Sequence, residues 1–133
     1  MLAFKQLIIV ALGGALGSIA RYKLGGFVLH HTEGWNFPVS TFIVNLLGCW
    51  VIGLFAGLAE HHDLFSPLVR LLLFTGLLGG FTTFSAFGYE SIFLIRRHLF
   101  PPALAYVTLS VLCGLAAVFA GIKLIDLLWP PHH

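Results

Sequence analysis

The sequence predicts an all-α integral membrane protein of four transmembrane helices, the third of them broken near the bilayer midplane. Three observations carry that expectation. Of 133 residues, 59% are hydrophobic and only 9% charged, whereas soluble domains carry about 25% charged residues. Four apolar segments each reach the about 20 residues that a helix needs to cross a bilayer. A Gly-Gly-Phe-Thr-Thr run interrupts the third of them. Mean hydropathy is +0.98, and 7 Lys+Arg with 5 Asp+Glu are too few to cover a globule this small. That balance excludes a soluble enzyme, a nucleic-acid binder and a disordered tail.

The spans run from about Leu7 to Phe27, Thr41 to Ala59, Leu68 to Ile95 and Ala103 to Leu128, one transmembrane domain over 1–133. The connections are short and polar: His30–Pro38 with Glu33, Trp35 and Asn36; Glu60–Pro67; and Arg96–Pro102 with two arginines and a Pro-Pro pair. Trp35, Trp129 and Tyr22 fall near span ends, where amphipathic rings prefer the headgroup layer. The apolar run from Leu7 outlasts a signal-peptide core, so no cleaved leader is expected. His132 and His133 are set aside. Cys49 and Cys113 lie in apolar stretches and read as small buried hydrophobes, not as a disulfide.

Short-loop lysines and arginines normally orient a membrane protein. One side holds Lys5, Arg70 and Lys123, the other Arg21, Lys23, Arg96 and Arg97. Three against four is almost no bias. Two explanations are open: dual topology with antiparallel assembly, or an orientation fixed by one dominant loop or a chaperone. Four short helices enclose no aqueous pore, so transport would require oligomerisation. Small-xxx-small patterns at Gly13–Gly17, Gly53–Gly57 and Gly76–Gly80 offer faces for it.

The third span is the most informative. Its 28 residues would extend about 42 Å as continuous helix, against a hydrocarbon core of about 30 Å. Gly79 and Gly80 in its middle, followed by Thr82 and Thr83, disfavour helix. Two half-helices joined by an unwound segment are predicted, with both threonines capping the second half; a glycine-rich packing surface with a mild kink is the alternative. A broken helix presents carbonyls suited to a small cation and an amide end suited to an anion. Phe84 and Phe87 fall on one helical face beside Ser85. Their ring edges are partly positive and could solvate an anion without holding it tightly.

Three polar side chains within spans invite a functional reading. Asn45 either bonds a neighbouring helix or donates to an anion. Arg21 either snorkels to the interface or draws anions into a vestibule. Glu90, the sole carboxylate deep in a span, is a functional suspect that could also pair with Arg21 or cap backbone. Catalysis is not supported: no histidine lies within the four spans to serve a nucleophile. His30–His31 and His61–His62 are adjacent, expected to point apart in loops, and lack metal-site spacing.

Three segments carry a resemblance: Gly13-Gly14-Ala15-Leu16-Gly17-Ser18-Ile19-Ala20-Arg21-Tyr22, Thr41-Phe42-Ile43-Val44-Asn45-Leu46-Leu47-Gly48, and Gly76-Leu77-Leu78-Gly79-Gly80-Phe81-Thr82-Thr83-Phe84-Ser85. In order and content they resemble the Fluc/CrcB family of bacterial fluoride channels, over nearly the whole chain. The resemblance implies an antiparallel, dual-topology homodimer in the inner membrane, with two pores that lower cytoplasmic fluoride by passive efflux. It implies a structural, untransported sodium ion held by the backbone carbonyls of Gly79 and Thr82. Asn45, Phe84, Ser85 and Phe87 map to the fluoride pathway, and Arg21, Thr83 and Glu90 to its vestibule or support. Two departures stand out. Ser40 replaces the usual glycine before the second motif, and Ala86 and Gly88 stand where the family's polar track often continues through hydroxyls. Waters, Thr108 or Ser110 would have to substitute.

The expected partners are fluoride, the lipid bilayer and a second copy, with no nucleic acid. The competing reading is a small proton-coupled exporter of lipophilic cations, which requires an embedded carboxylate that only Glu90 supplies. A non-transporting assembly subunit is a third.

Overall fold

The computed structural model describes residues 2–62 and 64–130, and among them every element is helical. Helix α1 spans Leu2–His31 and α2 spans Val39–His62. The first half of the third span, here α3, covers 67–81, and its second half, α4, covers Phe84–Arg96. Helix α5 spans Phe100–Leu128. All four spans are long and apolar enough to cross a membrane.

The helices outrun the apolar segments that predict them. At 1.5 Å per residue the 30 residues of α1 reach about 45 Å, so both ends rise beyond the hydrocarbon. Hydropathy marks where lipid tails end; the chain ends its helices at turns. After α1 the turn comes at Gly34, whose φ of +88° needs no Cβ to clear. Pro67, behind an N-cap at Ser66 that accepts from the Val69 amide at 3.4 Å, opens α3. Arg70 ties that start to the end of α2 by donating to the carbonyls of Ala59 (3.2 Å) and Phe65 (3.3 Å).

The small-xxx-small patterns are spent inside the chain, not on a second copy. Helix α1 crosses α3 with Gly13 against Gly76, Gly14 against Gly80, and Gly17 against Leu77 and Phe81. A Cβ on Gly13 would stand 2.7 Å from the Leu72 carbonyl and 2.9 Å from the Gly76 Cα. Helix α2 crosses α5 with Gly53 and Gly57 against Gly121 and Ile125, where a Cβ on Gly121 would meet the Trp50 carbonyl at 2.6 Å. Backbone approach of this kind is what holds helices together where no hydrophobic effect operates. Residues 71–78 of α3 widen into π-helix along the α1 contact. Among the described residues, the cluster of buried apolar side chains lies where α4 folds back on α5: Leu94, Ala103 and Tyr106 are buried, with Phe37, Phe42, Phe87 and Leu99 packed around them.

The break in the third span is confirmed, and its place corrected. Gly79 and Gly80 remain helical, within Gly79–Phe81, and the chain extends at Thr82 (φ −86°, ψ 156°) and Thr83 (φ −147°, ψ 112°). Gly80 cannot unwind because it is the crossing point with Gly14. Only Thr83 caps α4, accepting from the Ala86 amide at 3.2 Å. The Thr82 hydroxyl instead donates back to the Leu78 carbonyl at 2.9 Å.

Two smaller expectations also change. His30 and His31 are helical, and their rings meet edge to face at 5.3 Å instead of pointing apart. Cys49 and Cys113 are free thiols, as expected, but half-buried. The side chains of His61 and His62, and His132 and His133, lie outside the described residues.

Candidate functional site

The extended pair Thr82–Thr83 leaves backbone groups that lipid cannot satisfy. Asn45, on α2, answers Thr83 directly. Its Oδ1 accepts from the Thr83 amide at 2.8 Å, and its Nδ2 donates to the Thr83 carbonyl at 3.1 Å. The side-chain amide thus acts as one rung of a ladder, and a single Nδ2 hydrogen is left over. Of the two roles open to Asn45, the bond to a neighbouring helix is therefore made, and a donor remains.

This rung has a second consequence. In a continuous helix the Thr83 amide would bond the Gly79 carbonyl, and the Ala86 amide would bond the Thr82 carbonyl. Here the first donor goes to Asn45 and the second to the Thr83 hydroxyl. The two carbonyls that the resemblance nominates for sodium are both among those that lose their helical donors at the break. Gly79 is exposed on the chain surface. Hard oxygen donors suit a small cation, and no cluster of three or more His, Cys, Asp or Glu offers another site among the described residues.

Beside the break lies a groove of about 300 Å³ lined by Asn45, Thr82, Thr83, Phe84, Phe87 and Ser110, among others. The Phe84 and Phe87 rings stand 5.5 Å apart and tilted by 40°. Phe84 is 84% exposed. Phe87 packs instead on Tyr106, ring centres 5.3 Å apart. Ser85 is exposed and does not line this groove; its hydroxyl lies 3.3 Å from that of Thr83. Of the two suggested substitutes from the last helix, Thr108 is exposed and Ser110 joins the groove, its buried hydroxyl without a partner among the described residues.

Arg21 lies within α1, which continues ten residues beyond it. It lines a second cavity, of about 270 Å³, together with Ser40, Thr41 and Thr83. Ser40, where the family's glycine is absent, donates to the Gly25 carbonyl at 2.9 Å and so pins α2 to α1. Glu90 does not pair with Arg21. Its two oxygens accept from the Thr41 hydroxyl and the Tyr106 hydroxyl, each at 2.7 Å. Tyr106, fully buried, is the site residue that sequence reasoning missed. The available signal was a phenol near the middle of an apolar span, which needs a partner when buried.

The described geometry therefore gathers Asn45, Thr83, Phe84 and Phe87 at one groove, sets Arg21 behind it, and joins Glu90 to it through Tyr106. Comparison with known proteins agrees with the motif reading. The family model described as CrcB-like protein, Camphor Resistance (CrcB), matches residues 8–122. A protein of Methylobacillus flagellatus named Fluoride-specific ion channel FluC is 51% identical over 92% of this chain and 95% of its own. Proteins of the same name from Chloroflexus aurantiacus and Flavobacterium psychrophilum are 47% and 43% identical over 90% and 89% of this chain, and 94% of each of theirs. A match across nearly all of the chain, over four membrane-spanning helices, makes this multi-pass membrane protein a member of the CrcB family.

Proposed function

We propose that the chain is a fluoride-selective channel, not an enzyme, that lowers cytoplasmic fluoride by passive efflux as an antiparallel homodimer. The observation that carries the reading is the groove at the helix break, in a chain whose relatives bear the name of fluoride-specific channels. Fluoride is a small anion that gives up water only to strong donors. The spare Nδ2 hydrogen of Asn45 and the Ser110 hydroxyl, which has no partner among the described residues, are such donors. The ring edges of Phe84 and Phe87 add weak positive potential between them, so the anion is held briefly and released.

A second copy is supported by what one copy leaves bare. Gly79, Ser85 and Phe84 all lie exposed beside unwound backbone, an arrangement tolerated at membrane depth only when protein or water covers it. Sodium at the centre would be held by the Gly79 and Thr82 carbonyls and would neutralise their partial charge, a structural role.

The test is fluoride efflux from liposomes holding the purified chain, driven by a potassium gradient and ionophore, with chloride as control. Electrogenic fluoride loss indifferent to a pH gradient is expected. Flux that follows the pH gradient, or moves a lipophilic cation instead, would replace this reading with proton-coupled export.

A further inference from the structure

We propose that a second cleft, between the first loop and the C-terminal end of α4, is a mouth of the anion path, with Arg97 as its anion-collecting residue. The inference rests on the channel reading above. The cleft, of about 460 Å³, is lined by Glu33, Trp35, Asn36, Ser40, Glu90 and Arg97, among others. A row of packed side chains separates it from the groove at the break and links the two. Glu90 faces the cleft and bonds the Tyr106 hydroxyl, the Tyr106 ring packs on Phe87, and Phe87 lines the groove.

The electrostatics of such a mouth are unfavourable without a cation. A helix C-terminus carries about half a negative charge, and two carboxylates face the same space. Glu33 has His30 at 4.0 Å, and Glu90 is occupied by two hydroxyls. Arg97 is the one basic side chain lining the cleft among the described residues, and it forms no ion pair with any of them. Its guanidinium lies 4.9 Å from the centre of the Phe93 ring, which stacks on Tyr89. A π face holds the group while leaving its N–H edge free to meet an anion.

The backbone fixes the same position. The Leu99 amide bonds the Leu94 carbonyl at 3.0 Å and the His98 amide bonds the Ile95 carbonyl at 2.9 Å, the Schellman pattern, with His98 left-handed at φ 59°. Leu99 packs against the buried cluster of Leu94, Ala103 and Tyr106. Arg97 is the capping residue of that motif.

A charge that collects ions acts through space and is screened by salt. In Arg97→Gln, fluoride flux should fall about three- to tenfold at about 0.01 M ionic strength, where the Debye length is about 30 Å. The deficit should shrink to less than about twofold near 1 M, where that length is about 3 Å. Arg97→Lys should restore most of the flux, and Glu33→Gln should raise it above wild type. A readout that needs no flux uses Trp35 as sole tryptophan, after Trp50→Phe and Trp129→Phe. Adding Arg97→Gln should weaken quenching by iodide at low salt and leave quenching by neutral acrylamide unchanged.

A deficit equal at both salt concentrations and not rescued by lysine would overturn the proposal. So would fluoride flux and iodide quenching that both ignore Arg97→Gln, with the channel reading intact. Iodide quenching that depends on Arg97 in a protein passing no fluoride would instead keep the mouth and discard the channel.

Discussion

Thr83 is the residue on which the site turns. Its amide and carbonyl are both taken by Asn45, and its hydroxyl accepts from the Ala86 amide. Replacing Asn45 by leucine would strand two backbone groups where water is scarce. We expect a loss of about 2 kcal/mol or more, read as a lower unfolding midpoint in detergent; an unchanged midpoint would mean that water or lipid headgroups reach the break. His98 offers the opposite case. A non-glycine residue in left-handed conformation costs on the order of 1 kcal/mol, so His98→Gly should stabilise the fold by about that amount, read as a higher midpoint. No gain would show that the Schellman turn carries no strain.

At the scale of elements, the fold is two glycine seams joined by one aromatic core. Gly17 packs against the Leu77 carbonyl so closely that any Cβ overlaps it, and the Phe81 amide stands 2.8 Å from the same point. Because the obstacles are backbone, Gly17→Val should separate α1 from α3 and cost about 3 kcal/mol. Folding and flux equal to wild type would contradict the seam. How far the sequence disclosed these elements follows from the same physics. Spans and break were legible because apolar length and Gly-Gly-Thr-Thr chemistry are local. The glycine patterns were legible as close-packing faces, but not that they meet one another within the chain, since pairing between helices is set by geometry at long range. Residue by residue, Asn45 could be seen to need a partner, yet only the fold shows that the partner is Thr83. Tyr106 was passed over because its acceptor, Glu90, lies across a turn on another helix.

For the whole molecule, the decisive fact is how little one chain buries. Only Val44, Ala59, Leu78, Leu94, Ala103, Tyr106 and Ile125 are buried apolar side chains among the described residues. Lipid can face most of the rest, but not the diverted carbonyls beside the break. A dimer is therefore expected in nanodiscs by mass measurement, and a stable monomer that conducts would contradict the assembly. The near balance of positive charge between the two sides, three against four, is consistent with its copies being inverted.

The most direct measurement is fluoride efflux from liposomes carrying Phe84→Ile or Phe87→Ile beside the unaltered chain, with dimer mass checked in each. Isoleucine fills similar space but has no polarised ring edge. The account predicts an intact dimer with fluoride flux reduced about tenfold or more, the equivalent of about 1.4 kcal/mol of barrier. Undiminished flux in both variants would contradict it.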